Sequence, residues 1–447
     1  MAPTITKSFI STDKIIEWLK FKNDNVIVMI EKIPFSKIDK WTIDKLSGSL
    51  HHESGKFFSI EGIRINTNWG GIRSWEQPII NQPEIGILGI ITKEFNGVLY
   101  FLMQAKIEPG NINYVQLSPT LQATKSNYTK VHNGKTPEYL DYFLSKNKNT
   151  IIDQLQSEQG ARFLQKRNRN IIIKVDNEIE YNDNYCWMTL EQIKDLMRHN
   201  NIVNMDTRSV IACLNVNKRD HSPLNRYSKQ NAELYSLSDL LSWIADQKIE
   251  FSLDVRRISL YKLKNWRITD NKIHHKEKKY FSVIATDVTI GNREVTHWTQ
   301  PMVESAQDGL NAFVVKSING VIHFIIQAKV EAGNLDIIEL APTVQCLTGN
   351  YRETGDGKLP FLNYVLNANT NQKVFDTLQS EEGGRFYREQ NRNMIIIAEA
   401  DFSLKLPSNY IWMTYNQIHT FIMFNNYINI QARSLLAAIK RCDEEIN

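Results

Sequence analysis

The sequence contains one long segment twice. QAKIEPGN at Gln104 is repeated as QAKVEAGN at Gln327, and LQSEQGARFLQKRNRN at Leu155 is repeated as LQSEEGGRFYREQNRN at Leu378. Both pairs lie 223 positions apart, and about 120 residues keep this offset without an insertion or deletion. A unit of this length is far longer than a solenoid repeat. The chain is therefore expected to contain two copies of one domain.

The length of 447 residues supports more than one domain, because a single core rarely grows beyond about 250–300 residues. We expect the first copy to span residues 1–213 and the second to span residues 235–447. The segment between them, 214–234, is polar, charged and without periodicity, as expected of a linker.

Local signals in each copy predict a mixed α+β fold. The Asn-Gly pair that begins at Asn96 lies between two apolar runs and predicts a β-hairpin with a type I′ turn, and the pair at Asn319 repeats it. Helices are predicted where Ser, Thr or Asp precedes apolar residues at helical spacing, including those capped by Thr189 and Thr414.

The composition excludes several classes of protein. Hydrophobic residues make up 42% and charged residues 23% of the chain, and the net charge is +4. This charge is too small for the basic field that drives nucleic-acid binding. No apolar run approaches a membrane span or a signal peptide, and the four cysteines form no zinc or disulfide pattern. We therefore expect a cytoplasmic protein that binds neither nucleic acid nor membranes.

Polar side chains alternate along the strand that follows the first Asn-Gly turn. Alternation places Gln104, Lys106 and Glu108 on one face. The second copy repeats the order with Gln327, Lys329 and Glu331. An amphipathic strand with a solvated face would explain a single copy. Because both copies keep the order, we favour a binding cleft in which the lysine amine contacts a phosphate or a carbonyl oxygen.

A second polar segment, PTLQATKSNY in the first copy and PTVQCLTGNY in the second, begins with a proline that disfavours a central strand. Its side chains suit hydrogen bonds to hydroxyls or to a heterocycle. The candidate ligands are Thr124, Lys125, Ser126, Asn127, Tyr128, Gln345, Asn350 and Tyr351. A surface turn rich in small polar residues is the alternative.

The longest repeated segment suggests a diphosphate site. In the first copy Ser157 precedes a glycine and a predicted helix whose free N–H groups could bind phosphate, and Arg162 would add a bidentate contact. The candidates in the second copy are Gly383, Gly384, Arg385 and Phe386. The alternative is a capped helix with a structural arginine. Trp41 and Trp266 lie among polar residues, where an indole can stack on a nucleobase.

Familiar catalytic motifs are missing from the sequence. It contains no dinucleotide-binding glycine motif, no phosphate-binding P-loop and no nucleophile elbow. The histidine pairs that begin at His51 and His274 would point to opposite faces of a strand, which is poor geometry for a metal. We therefore expect neither a metal nor a cofactor.

The repeated segments QAKIEPGN, PTLQATKSNY and LQSEQGARFLQKRNRN, with their second copies, resemble the NDP-hexose 2,3-dehydratase family. The similarity covers nearly the whole chain, including its duplication. The resemblance implies two tandem Nudix-like domains, commonly in a homodimer, that act on dTDP-4-keto-6-deoxy-D-glucose. The product would be the 3,4-diketo-2,6-dideoxy sugar nucleotide, which a partner NADPH-dependent ketoreductase reduces. The glutamate-rich magnesium-binding helix of Nudix hydrolases is missing from SEQGARFLQKR and SEEGGRFYREQ, so diphosphate hydrolysis is not expected.

The implied elimination fits the residue types that are present. The ketone at carbon 4 acidifies the hydrogen on carbon 3, and the hydroxyl on carbon 2 is the leaving group. The ketone is its own electron sink, so the reaction needs no redox cofactor. We assign Lys106 as electrophile or acid, Glu108 as base, and Tyr128 or Ser157 as proton carriers.

We assign catalysis to the first copy, because it has the fuller set of ionisable and hydroxyl groups. The two copies differ at the paired positions 116/339, 125/348, 126/349, 129/352 and 132/355. The sequence leaves open whether one copy completes the pocket of the other. The remaining alternatives are a Nudix-type sugar-nucleotide pyrophosphohydrolase and a non-catalytic nucleotide-sugar-binding protein.

Overall fold

The computed structural model describes residues 10–125, 136–215, 232–291, 296–347 and 359–439. In these ranges the chain is mostly sheet, which confirms the predicted mixture of helices and strands. The helices are α1 (Thr12–Asp24), α2 (Leu140–Leu144), α3 (Leu190–Leu196), α4 (Met205–Ile211), α5 (Leu237–Glu250), α6 (Leu362–Leu366), α7 (Tyr415–Ile422) and α8 (Ile430–Ala437).

The two copies contribute corresponding series of strands. The first copy contains β1 (Val28–Ile33), β2 (Trp41–Ile43), β3 (Leu50–His52), β4 (Ser59–Thr67), β5 (Ser74–Asn81), β6 (Gly86–Phe95), β7 (Val98–Ile107), β8 (Val115–Ser118), β9 (Leu121–Ala123), β10 (Asn149–Ser157), β11 (Arg167–Lys174) and β12 (Tyr185–Thr189). The second contains β13 (Leu253–Ile258), β14 (Trp266–Ile268), β15 (Lys272–His275), β16 (Phe281–Ile290), β17 (His297–Ser305), β18 (Gly309–Ile318), β19 (Val321–Lys329), β20 (Glu339–Ala341), β21 (Val344–Leu347), β22 (Lys373–Ser380), β23 (Gln390–Ile397) and β24 (Tyr410–Thr414).

Each copy forms a seven-stranded mixed sheet. In the first copy the order is β10-β11-β6-β7-β12, with β9 beside β6 and β8 beside β7. Strands β6 and β11 are parallel, whereas β6 and β7 form an antiparallel hairpin. At its turn Asn96 and Gly97 have φ angles of 49° and 80°, and Asn319 and Gly320 have 54° and 76°. Positive φ at both positions is the mark of a type I′ turn, so both predicted hairpins are confirmed.

The smaller sheets exchange strands between the copies. Strand β1 of the first copy pairs with β16 of the second, and β13 of the second pairs with β4 of the first, both antiparallel. Each five-stranded sheet therefore contains four strands from one copy and one from the other. The predicted domain boundaries stay a prediction, but in the described ranges the copies are interlocked by these exchanged strands.

The centre of the molecule is also shared. Helices α4 and α8 pack together, and each carries a buried arginine that reaches the other copy. Arg208 Nη2 donates to the carbonyl of Ser380 at 2.6 Å, and Arg433 Nη2 donates to the carbonyl of Ser157 at 2.5 Å. Since a buried guanidinium without acceptors costs several kcal/mol, of the order of 3–5, these contacts tie each copy to the other.

The predicted helix caps are present. Thr189 and Thr414 each accept a hydrogen bond from the backbone of the third helical residue, whose glutamine side chain returns the contact in a capping box. Both helices are therefore confirmed, as are α1 and α5, which begin after Ser11 and Ser236. None of the helices in the described ranges combines the length and apolar character that crossing a membrane requires.

One local prediction is wrong. The segment after Gly160 was expected to open a helix, but it forms a short turn that leads into strand β11. Strand β11 pairs on both sides, in parallel with β6 and antiparallel with β10, and its apolar residues are buried. They therefore form a continuous run instead of alternating with polar residues. The order of the sheet therefore overrides the helix start suggested by Ser157 and the glycine.

Candidate active site

A cavity of about 1070 Å³ opens beside strand β7 of the first copy. Its volume is at the upper end of the range found for small-molecule sites. Residues of both copies line it, so the second copy completes a pocket whose floor belongs to the first. Five cationic and five acidic side chains line it: Lys22, Lys40, Lys106, Lys166, Arg385, Asp39, Glu108, Glu158, Asp206 and Glu382.

The polar face of β7 forms one wall of the cavity. Gln104 and Lys106 lie on this strand, Glu108 follows directly after it, and all three line the cavity. The ammonium of Lys106 lies 3.8 Å from the nearer oxygen of Glu108, and the two side chains are 21% and 6% exposed. The geometry therefore places a cation and a carboxylate side by side on a surface that a ligand can reach.

Glu108 is held in place by a chain of amides. The Nε2 of Gln122 donates to Oε1 of Glu108 at 2.6 Å, and the Nδ2 of Asn204 donates to the oxygen of Gln122 at 3.2 Å. Asn204 is the N-cap of α4, so the carboxylate is linked through two side chains to a helix start. Such a chain fixes the orientation that a general base needs.

The second copy supplies a further part of the wall through its 381–386 loop, in which Glu382, Gly384 and Arg385 line the cavity. The guanidinium of Arg385 lies 4.4 Å from the ring centroid of Phe58, in a cation–π contact. Its Nε is buried and has no hydrogen-bond partner among the described residues. An arginine with an unsatisfied donor at a cavity wall is suited to an anionic ligand.

The loop reaches the cavity because two glycines allow close backbone contact. The N–H of Gly110 donates to the carbonyl of Gly383 at 2.7 Å, and the N–H of Arg388 donates to the carbonyl of Gly110 at 2.7 Å. A Cβ on Gly110 would overlap the carbonyl oxygen of Phe386. The same contact recurs with the copies exchanged, between Gly333, Gly160 and Phe163.

Three further charged side chains line the cavity and are buried. Glu158 and Lys166 are both buried, and the Nδ2 of Asn168 donates to Oε1 of Glu158 at 2.5 Å. Asp206, the second residue of α4, is 4% exposed. Its Oδ1 has no hydrogen-bond partner among the described residues. The cavity thus contains acidic groups that water reaches poorly.

Burial shifts the pKa values of these groups. Burial raises the pKa of Glu158, raises the pKa of Glu382 to about 7, and raises the pKa of Asp206 well above its usual value. Burial also lowers the pKa of the Lys166 ammonium. Groups that exchange protons near neutral pH are the ones that general acid–base chemistry uses.

Aromatic residues form the outer rim. Trp41 lines the cavity, and its Nε1 donates to the carbonyl of Thr299 in the second copy at 3.0 Å. Its ring packs edge-on against His52 at 5.5 Å and tilted against Phe58 at 4.9 Å between centroids. Trp41 is therefore a fixed aromatic wall, as the predicted contact with a nucleobase requires.

The corresponding face of the second copy is covered. The ring of Trp69, from the first copy, lies 5.4 Å from the ammonium of Lys329, and its Nε1 donates to the carbonyl of Ala328 at 3.3 Å. Burial lowers the pKa of Lys329, whose Nζ donates to the carbonyl of Gln345 at 3.1 Å. The carboxylate of Glu331 accepts from Gln345 at 2.9 Å. The repeated polar face thus contacts protein here, rather than the large cavity.

The structure divides the predicted site residues into four groups. Those at the large cavity are Trp41, Gln104, Lys106, Glu108, Thr124, Gly384 and Arg385. Those around the corresponding face of the second copy are Arg162, Trp266, Lys329 and Gln345. Those beside the cavity lining are Lys125, Ser157, Gly383 and Phe386. Those outside the described residues are Ser126, Asn127, Tyr128, Asn350 and Tyr351.

Three of these placements bear on the predicted roles. The hydroxyl of Ser157 is buried and donates to Oε2 of Glu339 at 2.8 Å, so it joins the two copies. Phe386 packs edge-on against Phe163 in a core shared by both copies, with ring centroids 5.6 Å apart. Lys125 is exposed. The predicted proton-carrier role of Ser157 stays a prediction.

Sequence reasoning assigned no role to several charged residues of the cavity, among them Glu158, Lys166, Asp206 and Glu382. A signal for two of them was present in the repeat. Asp206 corresponds to Gln431 and Glu382 corresponds to Gln159, so the first cavity has an acid where its counterpart has an amide. Within the described ranges no group of three or more His, Cys, Asp or Glu residues could hold a metal ion.

The fold and the cavity define an internally duplicated α+β protein whose pocket combines buried acids with cations that suit a phosphorylated ligand. Comparison with known proteins makes the assignment specific. A model described as NDP-hexose 2,3-dehydratase matches residues 12–214 and again 237–439. The chain belongs to the NDP-hexose 2,3-dehydratase family, as its motifs indicated, and the two matched segments support an internal duplication. A dehydratase is a hydro-lyase, so the expectation of an enzyme of this class is confirmed.

Curated relatives are similar over most of their length. The dTDP-4-dehydro-6-deoxy-alpha-D-glucopyranose 2,3-dehydratase of Saccharopolyspora spinosa is 44% identical over 422 residues, which cover 91% of this chain and 87% of the relative. The enzyme of the same name from Amycolatopsis orientalis is 42% identical over 96% of this chain and 90% of its own. That of Streptomyces violaceoruber is 42% identical over 92% and 93%.

Proposed function

We propose that the chain removes the carbon-2 hydroxyl of dTDP-4-keto-6-deoxy-D-glucose and yields the 3,4-diketo-2,6-dideoxy sugar nucleotide of deoxysugar biosynthesis. The relatives carry the names of 2,3-dehydratases that act on this 4-keto sugar nucleotide. The observation that carries the proposal is the cavity that Lys106 and Glu108 of the first copy line together with Arg385 of the second.

The reacting ring would lie against the polar face of β7. Glu108 removes the proton on carbon 3, which the neighbouring ketone has made acidic, and the ammonium of Lys106 stabilises the enolate oxygen that forms at carbon 4. General acid–base assistance contributes about 10²–10⁴-fold to the rate. A fixed donor to the developing oxyanion contributes about 10²–10³-fold more.

The nucleotide would extend towards the second copy. Arg385 is the group best suited to the diphosphate, because a guanidinium can contact two oxygens at once and its Nε has no partner among the described residues. Trp41 and the residues near Thr124 offer an aromatic wall and polar side chains for the thymine and sugar hydroxyls. This orientation places the charged end of the substrate on the 381–386 loop.

The Nudix-like fold is part of the same proposal. It is supported by the seven-stranded mixed sheet, in which one parallel pair lies beside an antiparallel hairpin and helices α3 and α4 follow the last strand. The hydrolase alternative requires a glutamate-rich segment that SEQGARFLQKR and SEEGGRFYREQ do not contain. Magnesium-dependent release of a sugar phosphate would nevertheless favour it.

The wider setting also stays a proposal. The diketone product is reactive, so an NADPH-dependent 3-ketoreductase would consume it directly in the same biosynthetic sequence. A homodimer and a cytoplasmic location are the arrangements that the family resemblance and the composition suggest.

The experiment combines the purified chain with the 4-keto-6-deoxy sugar nucleotide, a 3-ketoreductase and NADPH. Mass spectrometry would show a product that has lost the carbon-2 oxygen. In deuterated water, the hydrogen on carbon 3 would exchange. Substrate that binds without exchange or loss of oxygen would identify the chain as a binding protein and overturn the proposal.

A matched pair of variants tests the assignment to the first copy. Glu108→Gln should lower turnover by about 10²–10⁴-fold because it removes the base but keeps the shape. Glu331→Gln makes the same change on the covered face of the second copy and should lower turnover far less. Equal losses in the two variants would contradict the assignment.

A further inference from the structure

We propose that Asp206 is the catalytic acid that protonates the departing carbon-2 hydroxyl, an inference that rests on the proposed dehydratase function. Asp206 lies on α4, lines the cavity, and is 4% exposed. Its Oδ1 has no hydrogen-bond partner in the described part of the chain. A buried carboxyl group with an unsatisfied oxygen at a cavity surface normally requires an explanation, because leaving such a group unpaired costs about 1–3 kcal/mol.

The surroundings favour the protonated form of this carboxyl group. Burial is the main cause of its raised pKa, and the carboxylates of Glu158, Glu108 and Glu382 raise the pKa further. The ammonium of Lys106 opposes them with a smaller effect. This direction suits Asp206 to the role of proton donor, and Glu108, which directly follows β7, is the proposed base.

The second copy provides an internal comparison. Gln431 occupies the position of Asp206, and neither its Oε1 nor its Nε2 has a hydrogen-bond partner among the described residues. The N-cap asparagine, Asn204 or Asn429, is the same in both copies, and so is the buried arginine that follows. The helix therefore folds with an amide at this position, which means that the acid is not needed for the fold.

The second distinguishing acid comes from the other copy. Glu382 extends into the cavity from the 381–386 loop, where one of its oxygens accepts the N–H of Gly384 at 3.0 Å. Gln159 holds the equivalent position in the first copy. Among the described residues, the polar face of the first copy lines the large cavity, and both extra acids line the same cavity.

The elimination balances with these groups. Glu108 takes the proton from carbon 3, and the electron pair forms the enolate at carbons 3 and 4. The pair then forms the bond between carbons 2 and 3 as the carbon-2 oxygen leaves, and Asp206 gives this oxygen a proton to release water. The resulting enol becomes the ketone when its hydroxyl proton returns to Asp206 and carbon 2 receives the proton held by Glu108. Both carboxyl groups end as they began.

The test uses Asp206→Asn in the full chain, with Gln431→Asn as the matched control. Carbon-2 oxygen loss is followed with the ketoreductase, and exchange at carbon 3 is followed in deuterated water. We expect Asp206→Asn to lower oxygen loss by about 10²–10⁴-fold and to retain exchange at carbon 3. Gln431→Asn should leave both unchanged.

Each other outcome has a definite meaning. If Asp206→Asn lowers the rate of carbon-2 oxygen loss by less than about tenfold, the role of Asp206 is overturned, because general-acid assistance normally exceeds this. Equal loss of exchange and elimination would also overturn it, because it would place Asp206 at the first proton transfer. If the wild-type chain neither exchanges nor dehydrates, the proposed function fails, and this inference fails with it.

A second variant applies if Asp206→Asn does not fold. Glu382→Gln removes a negative charge that raises the pKa of Asp206. The acid must be protonated to act, so activity falls as pH rises through its pKa. The alkaline limb of the kcat profile should therefore move to lower pH in Glu382→Gln. A limb that stays in place would overturn the role of Asp206.

Discussion

Arg385 and Arg162 form a natural pair for testing how the substrate diphosphate is held. They occupy the same position in the two repeats, and each guanidinium stacks on a phenylalanine, at 4.4 Å for Arg385 on Phe58 and 4.1 Å for Arg162 on Phe281. Each also donates through Nη1 to the carbonyl of the preceding residue. The environments differ in one respect that matters, because Arg385 lines the large cavity.

Replacing either arginine with lysine keeps the charge and removes the planar fork. Both variants weaken a cation–π contact whose full value is about 0.5–2 kcal/mol, so we expect similar decreases in Tm. Arg385→Lys additionally loses a bidentate contact with phosphate. A hydrogen bond to a charged group is worth about 1.5–3 kcal/mol, which corresponds to an increase in KM of about 10–150-fold.

The assay measures KM for the sugar nucleotide in the coupled dehydration reaction at fixed ionic strength, together with Tm for each variant. A large increase in KM for Arg385→Lys, with a small one for Arg162→Lys and matching values of Tm, would support the orientation proposed here. Equal increases in KM would refute it, because they would show that the cavity wall does not hold the diphosphate.

Three further changes test other parts of the molecule. Lys106→Ala should reduce kcat by about 10²–10³-fold through loss of the oxyanion donor, whereas Lys329→Ala should reduce it far less; equal reductions would contradict the assignment to the first copy. Gly110→Ala should lower the free energy of unfolding by about 1–3 kcal/mol, measured by urea titration, because the new Cβ overlaps the carbonyl of Phe386. Burial raises the pKa of Glu339 to about 8, so its contribution to stability is full below its unfolded pKa near 4.5 and is lost as pH rises through about 8. The Tm of Glu339→Gln should therefore depend less on pH across this window, and an unchanged slope would contradict the reasoning.

Local structure could be predicted from the sequence wherever a few adjacent residues decide it. The turn at Asn96 and Gly97 follows from the ease with which these residues adopt positive φ. The starts of α3 and α7 follow from Thr189 and Thr414, whose side chains accept the first free N–H groups. These signals need no knowledge of what packs against them.

The exchanged strands could not be predicted in this way. Strands β1 and β13 have the same alternation of half-buried and exposed residues, so either could pair with β4 or β16 on pattern alone. Their partners are decided by the length and path of the connections and by the packing of the copies against each other. A duplication hides this information, because each strand has two chemically similar places to bind.

The site was predictable to the extent that it lies on one strand. Alternation brought out Lys106 and Glu108, and both line the cavity. Asp206 and Glu382 come from a helix and from a loop of the other copy, and no local pattern joins them to that strand. The usable signal was a difference between the copies, an acid in one and an amide in the other, which becomes meaningful only once the two positions are known to face one cavity.

The interlocked fold explains why the second copy would be retained even if only the first performs chemistry. The polar face of the second copy is covered by Trp69 of the first copy, yet the 381–386 loop of the second copy supplies Glu382 and Arg385 to the first cavity. Its carbonyl at Thr299 fixes Trp41. Loss of the second copy would therefore remove one wall of the cavity and one strand of a sheet in the first. Divergence after duplication is constrained in different ways in the two copies: one keeps its strand face and buried acid, and the other keeps the loop that reaches across.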